Sequence, residues 1–371
     1  MTILGGTART AAGDGLLPSA APLQLIDPDG RPGQNPGELT RPESRILLEL
    51  YHRMVIGRRF DQQATTLTKQ GRLAVYPSSR GQDACQVGAV LALRDDDWLF
   101  PTYRDTVAIV TRGVDPVEAL SLLRGDWHCG YDPYRHRIAP QCTPLATNTL
   151  HAVGLAHAAR LKQQDQVALV LLGDGATSEG DTHEALNFAA VWRAPAVFLV
   201  QNNGYAISVP LAKQTAAPNL AAKGIGYGIP SLLIDGNDAA AVYSAVREGI
   251  ERGAAGQGPT LIEAITYRIE AHTNADDAAR YRAADEVQHW LARDPIARLE
   301  AYLKTAGLLD EDAAARLAAE AERFADRVRA RMNIDADVDP AELFAHVYAQ
   351  PTAALEHQRA ALLSELEDSR Q

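Results

Sequence analysis

Three cysteines in 371 residues, Cys85, Cys129 and Cys142, stand far apart with no Cys-x-x-Cys spacing. Such a set gives neither a disulfide framework nor a zinc knuckle, and it suits a reducing compartment. Lysine is scarce, five among 36 basic residues, and 47 acidic residues bring the formal net charge to −11. Nucleic-acid surfaces displace counterions with Lys and Arg, so an acidic balance argues against one. No uncharged apolar run approaches the ~18–20 residues that span a bilayer. A soluble chain is expected. The first residues, MTILGGTARTAAGDGLLPSAAP, lack the apolar core of a secretory signal and hold too little Arg for a transit peptide. They read as a tail, and a bacterial cytoplasm is the expected location. G-x-S-x-G, Walker and H-E-x-x-H patterns are absent, as are internal repeats.

What remains is a chain 46% hydrophobic and 22% charged, with ample material for a core. Residues 1–40 form a Pro- and Gly-rich arm, partly disordered, with a turn signature at Asp27-Pro28-Asp29-Gly30. Pro42 opens a helical pattern carried by Ile46, Leu47, Leu50, Met54 and Val55. Val167–Leu172 and Ala196–Val200 are apolar at every position, as strands buried on both faces of a parallel sheet must be. Between them Glu179–Trp192 reads as helix, with Ser178 and Asp181 in a capping-box pattern. Strand, helix, strand in that order is a βαβ unit, so the expected fold is α/β, a parallel sheet flanked by helices. Thr260–Thr266 offers a later strand. The expected divisions are the arm, an α/β domain over 41–284 and a charged helical region over 285–371, broken at Asp294-Pro295 and Asp339-Pro340.

Gly173-Asp174-Gly175 stands where the first buried strand ends, and the second ends in Asn202-Asn203. Ligands of parallel sheets bind beyond the carboxyl ends of the strands. Two glycines let backbone approach a phosphate, and the acid between them can hold a hard cation. Gly, Asp and Asn also favour ordinary turns, so either motif alone says little. On successive strand ends they bring a carboxylate and a carboxamide oxygen to one point. Asp174, Asn203 and a nearby carbonyl would leave Mg²⁺ positions open for a diphosphate.

The stretch GDGATSEGDTHEALNFAAVWRAPAVFLVQNNGYAISVP is similar to the cofactor motif of a known family. From about Leu23 into the C-terminal helices, the chain resembles the alpha subunit of the decarboxylating component of 2-oxo acid dehydrogenase complexes. These are thiamine diphosphate enzymes. The resemblance implies a thiamine diphosphate-binding fold, with Mg²⁺ on Asp174, Asn203 and the main-chain oxygen of Tyr205. Gly175 and Ala176 would approach the diphosphate. Phe100–Asp105 resembles the family segment whose Tyr103 and Arg104 contact the cofactor, and the planar fork of Arg suits a diphosphate. Gln141–Thr147 resembles the loop under the aminopyrimidine ring, where Leu145 would prop the bent cofactor and Thr143 sit near the ring. Tyr267–Asp277 with Tyr281-Arg282 resembles the family's mobile loop, in which His272 matches the active-site histidine.

The resemblance further implies a beta-subunit partner in an α₂β₂ heterotetramer, a small-molecule 2-oxo acid substrate and transfer of the acyl group to a lipoyl domain. The glutamate that protonates the cofactor's pyrimidine would come from the beta subunit. Asn202–Ser208 and Gly226–Tyr243 look closer to branched-chain members, whereas Gln70–Leu73 and Asp276–Arg282 occur widely in pyruvate-type members. Branched-chain acids are expected, with pyruvate the alternative, acetoin cleavage a minor one, and a noncatalytic scaffold the reading from another class. The chain also departs from the family: Glu270-Ala271 precedes His272, Gln201 stands where some branched-chain members have Arg, and Thr273 replaces a phosphorylated Ser of animal relatives. Cys142 and Asn148 differ from positions that hold a monovalent cation in some relatives. His128, His136, His151 and His157 read as structural or exposed, Cys85 as a small buried hydrophobe, Gly224–Gly228 as a surface loop, and Asp310–Arg331 as a solvated helix face.

Overall fold

A computed structural model describes residues 16–335 and 339–369; the first fifteen residues of the expected arm lie outside them. The chain divides into two compact units, 1–331 and 332–371. In the first, five parallel strands form one sheet. They are β1 (Trp98–Phe100), β2 (Ala168–Gly173), β3 (Ala196–Asn202), β4 (Ser231–Asp235) and β5 (Thr260–Ile265), in the order β1-β2-β3-β5-β4. All of β3 is buried, as its unbroken apolar run requires.

Five helices place that sheet: α1 (Ser44–Lys69), α2 (Asp83–Ala92), α3 (Thr147–Leu161), α4 (Gly180–Trp192) and α5 (Ala239–Ala254). Val170, Leu172, Phe198 and Val200 project from alternate strand positions into one cluster with Ala152, Ala156, Ala185 and Ala189 of α3 and α4. The small residues let these helices sit close over the large strand side chains. On the other face α5 packs so tightly that a Cβ at Gly249 would meet a Val197 methyl at 3.0 Å. Its N-cap is Asp238, which accepts from Ala240 N and Ala241 N.

The described part of the arm is built into this unit. Gly30 N donates to Asp27 O at 2.9 Å, closing the expected turn, and Leu23 pairs with Ile234 at the β4 edge. Asp238 accepts from Leu25 N at 2.7 Å and Ile26 N at 2.8 Å, so one buried carboxylate caps a helix and anchors the arm.

Three local expectations are corrected. Ser178 closes a 3₁₀ turn over Asp174–Ser178, and the N-cap of α4 is Glu179, with no side-chain cap bond. Thr177 and Thr182 instead donate back to Asp174 O and Ala176 O. Lys223–Tyr227 is a helical turn rather than a loop, ended by Gly228 at φ +70°. The helix Glu311–Met332 is not solvated all round, since Leu317, Ala321, Ala325 and Val328 are buried. The second unit holds the short helices Glu342–Ala345 and Ala353–Asp368. Among the described residues no helix is long and apolar enough to cross a membrane.

Phe198 is among the largest fully buried side chains and sits at the centre of the sheet. Phe198→Ala is expected to cost about 3–5 kcal/mol, read from the shift in a urea unfolding transition. A loss below about 1 kcal/mol would mean the two layers collapse to fill the gap.

Candidate active site

The carboxyl ends of β1, β2, β3 and β5 open on one cavity of about 420 Å³. β1 leads to Tyr103 and Arg104, β2 to Asp174–Ala176, β3 to Asn203 and Tyr205, and β5 to Arg268 and His272, all of which line it. Leu145 lines it from the loop before α3. Nine of the residues singled out from sequence are therefore brought together. Thr143 is not; it is exposed, two positions before Leu145 and outside the lining.

At the floor Asp174 is buried, and burial pushes its carboxyl above the usual range against the hydrogen bonds it accepts. Gln214 Nε2 donates to its Oδ2 at 2.9 Å and Asn203 N to its Oδ1 at 3.3 Å. Asn203 Oδ1 accepts from Tyr205 N at 3.2 Å. The Asp174 carboxylate and the Asn203 carboxamide oxygen are hard donors of the kind Mg²⁺ takes, and the Tyr205 carbonyl, the third expected donor, accepts from Arg268 Nη1 at 3.5 Å. Gln214 Oε1 is buried beside them with no hydrogen-bond partner among the described residues. A Cβ at Gly175 would come within 2.8 Å of the Ala206 Cβ, so only glycine allows the 3₁₀ turn to lie this close to Ala206.

The lining is also cationic. Arg104 is held by Ser78 O, which accepts from Nη1 at 3.0 Å, and by His272 O, which accepts from Nη2 at 3.0 Å. Arg268, fully buried, donates to Ile207 O at 2.7 Å and the Tyr281 hydroxyl at 2.9 Å, and its Nε has no partner. Among the described residues neither guanidinium pairs with a carboxylate, although buried cations are normally paired. Lys213 adds a third positive group to the lining. Two buried guanidiniums without a carboxylate partner among the described residues, one of them within 3.5 Å of the Tyr205 carbonyl, suit an anion bridged to a divalent cation.

A family model described as the dehydrogenase E1 component matches residues 51–332. The chain belongs to that family. The 3-methyl-2-oxobutanoate dehydrogenase subunit alpha of Mycobacterium tuberculosis is 44% identical over 363 residues, 98% of this chain and 99% of the relative. The pyruvate dehydrogenase E1 component subunit alpha of Staphylococcus aureus is 43% identical over 268 residues, 72% of each chain.

In this dehydrogenase E1 component His272 sits in a built loop. Its N–H donates to Asp276 Oδ2 at 2.8 Å, and the Tyr281 hydroxyl donates to the same oxygen. Glu270, the departure before His272, pairs with Arg80 at 2.8 Å. Gln201 bonds Asp105 with one end of its amide and Gln82 with the other. Arg268, Gln82, Lys213 and Gln214 line the cavity without having been singled out from sequence. Arg268 lay inside a motif already noted; for the other three nothing but the folded geometry shows their place. His157 stacks on Trp192 away from the cavity, with centroids 4.3 Å apart, and Cys85 is fully buried with its thiol on Gly236 O.

Burial, then the repulsion of Arg104 and Arg268, lowers His272 to about 4, with Asp276 opposing. The folded protein therefore binds fewer protons than the unfolded chain between the ordinary histidine value and about 4. The stability His272 contributes as a neutral ring is intact above that window and declines as pH falls through it. An NMR titration of the imidazole is expected to show a midpoint near 4, and Arg104→Met should move it upward. A midpoint near 6.5 in the unsubstituted protein would contradict this electrostatic picture.

Proposed function

We propose that this chain is the alpha subunit of a 2-oxo acid dehydrogenase, binding thiamine diphosphate and Mg²⁺ and acting on a branched-chain 2-oxo acid such as 3-methyl-2-oxobutanoate. The observation that carries this is the presence in one cavity of buried oxygen donors and two buried guanidiniums without a carboxylate partner among the described residues. Asp174, Asn203 and the Tyr205 carbonyl would hold Mg²⁺. Arg104 would take the diphosphate, with the main chain at Gly175 and Ala176 close to it, and Arg268 would add to the positive potential. Tyr103 and Leu145 would seat the organic rings, with Thr143 nearby. When bound, thiamine diphosphate supplies the carbanion and electron sink that decarboxylation of a 2-oxo acid needs.

His272 would serve at the acyl-transfer step. Arg104 Nη2 lies 3.1 Å from its Nδ1, and guanidinium can only donate. Nδ1 must therefore accept, and the proton of the neutral ring sits on Nε2, ready to be given to a developing anion. A beta subunit would complete the site in an α₂β₂ assembly, a lipoyl domain would receive the acyl group, and the complex would work in a bacterial cytoplasm. The branched-chain choice rests on the Mycobacterium relative, which is matched over 98% of this chain, against 72% for the pyruvate-type relative. Ile207 and Val209 add apolar surface to the lining. Pyruvate is the second reading, favoured by the near-equal identity of that relative.

Initial decarboxylation rates of the chain with its beta partner, Mg²⁺, thiamine diphosphate and an artificial electron acceptor test this. The kcat/KM for 3-methyl-2-oxobutanoate is expected to exceed that for pyruvate by about tenfold or more, about 1.4 kcal/mol of discrimination. The reverse preference would move the substrate to pyruvate, and full activity of the isolated chain would remove the need for a partner. His272→Ala should slow lipoyl acylation by about 100-fold or more while cofactor affinity changes far less.

A further inference from the structure

Asn203 can offer a cation either its carboxamide oxygen or its two amide protons, and only the oxygen binds. Which end faces outward is decided by the hydrogen bonds of the other end. Asn203 Nδ2 donates to Gln82 Oε1 at 3.1 Å. Gln82 Nε2 donates to Gln201 Oε1 at 3.0 Å, and Gln201 Nε2 donates to Asp105 Oδ1 at 2.8 Å. The row ends on a carboxylate that already accepts from Thr102 N at 2.7 Å and from the Thr102 hydroxyl at 2.6 Å.

Every member is buried. Burial pushes the Asp105 carboxyl above its usual range against the hydrogen bonds it accepts. As the acceptor of the Gln201 bond, it has Gln201 turn its NH₂ toward it and its oxygen toward Gln82. Gln82 must then meet that oxygen with its NH₂, which leaves its own oxygen for Asn203. Reversing any one amide sets two buried acceptors or two buried donors face to face, and in a buried row each mismatch is costly. The polarity of the whole row is thus fixed at its Asp105 end.

We propose that Asp105, Gln201 and Gln82 form a directional relay that holds the oxygen of Asn203 toward the cation. Resting on the functional reading above, the inference assigns positioning roles to three residues that need not touch the metal. It accounts for two buried glutamines in the wall of a charged cavity, where apolar side chains would pack at lower cost. The contact of Asn203 Oδ1 with Tyr205 N favours the same orientation locally, and the relay enforces it from the far side.

The test is calorimetric titration of Mg²⁺ into the α–β complex with saturating thiamine diphosphate. Gln82→Leu and Gln201→Leu are each made alone and in the Asn203→Asp chain. A carboxylate presents oxygen in either orientation, so it needs no relay. Either leucine substitution should weaken Mg²⁺ binding about 10- to 100-fold in the Asn203 chain and less than about twofold in the Asn203→Asp chain. Should Gln82→Leu fail to assemble, Gln201→Leu, one step further from Asn203, carries the comparison. Equal weakening in both chains would mean the glutamines merely support the fold, and unchanged affinity in the Asn203 chain would mean Asn203 orients itself; either overturns the relay. An unsubstituted complex that binds no Mg²⁺ with thiamine diphosphate would overturn the functional reading beneath it.

Discussion

Much of this structure follows from one constraint: two guanidinium groups are buried in a single cavity with no carboxylate on either among the described residues. Bare, such groups would carry a desolvation cost that few folds tolerate. Here main-chain carbonyls take the place of anions. Ser78 O and His272 O accept from Arg104, and Ile207 O accepts from Arg268. Carbonyl dipoles satisfy the N–H groups and leave the net positive charge in place, so the cavity keeps its affinity for a negative ligand.

Holding those carbonyls in place takes a further shell. Asp61, fully buried in the middle of α1, accepts from the Tyr76 hydroxyl, the Ser78 hydroxyl and Ser79 N. Its pKa is pushed up to about 6 by burial, against those three bonds. Ser79 Oγ in turn donates to Arg104 O at 2.8 Å. One strained carboxylate thus shapes a segment that grips Arg104 at its side chain and its backbone. On the other side Arg282 donates to Arg268 O and Ile269 O, tying the start of the His272 loop to its end.

The strands were legible because burial on both faces leaves a continuous apolar run, and the floor was legible because Gly-Asp-Gly and Asn-Asn end two such runs. Other features depend on partners far along the chain. Lys223–Tyr227 turns as a helix that fits only because glycine stands at 224, where a Cβ would meet the Ser231 hydroxyl at 2.0 Å. The buried face of Glu311–Met332 hid because two of its five buried residues are alanines among many others. Ser178 looked like a cap, yet it ends the 3₁₀ turn, where threonines at 177 and 182 bond back to carbonyls. Arg268 was readable as a motif residue, but that it lacks a counter-charge is a fact of three dimensions.

Burial first, and then the same missing counter-charge, set the state of His272. A further positive charge beside Arg104 and Arg268 is opposed by both, and the ring answers by staying neutral. Asp276 spends an oxygen on the His272 backbone N–H and on Tyr281 rather than on the ring. The histidine is therefore oriented by an acid without being made more basic by direct contact, and its ring nitrogen is held by a cation instead. Any anion that settles between the guanidiniums offsets their repulsion and draws the imidazole back toward its ordinary range. Proton affinity at His272 is in this way tied to occupancy of the charged wall, through Coulomb forces alone and with no movement of the loop required.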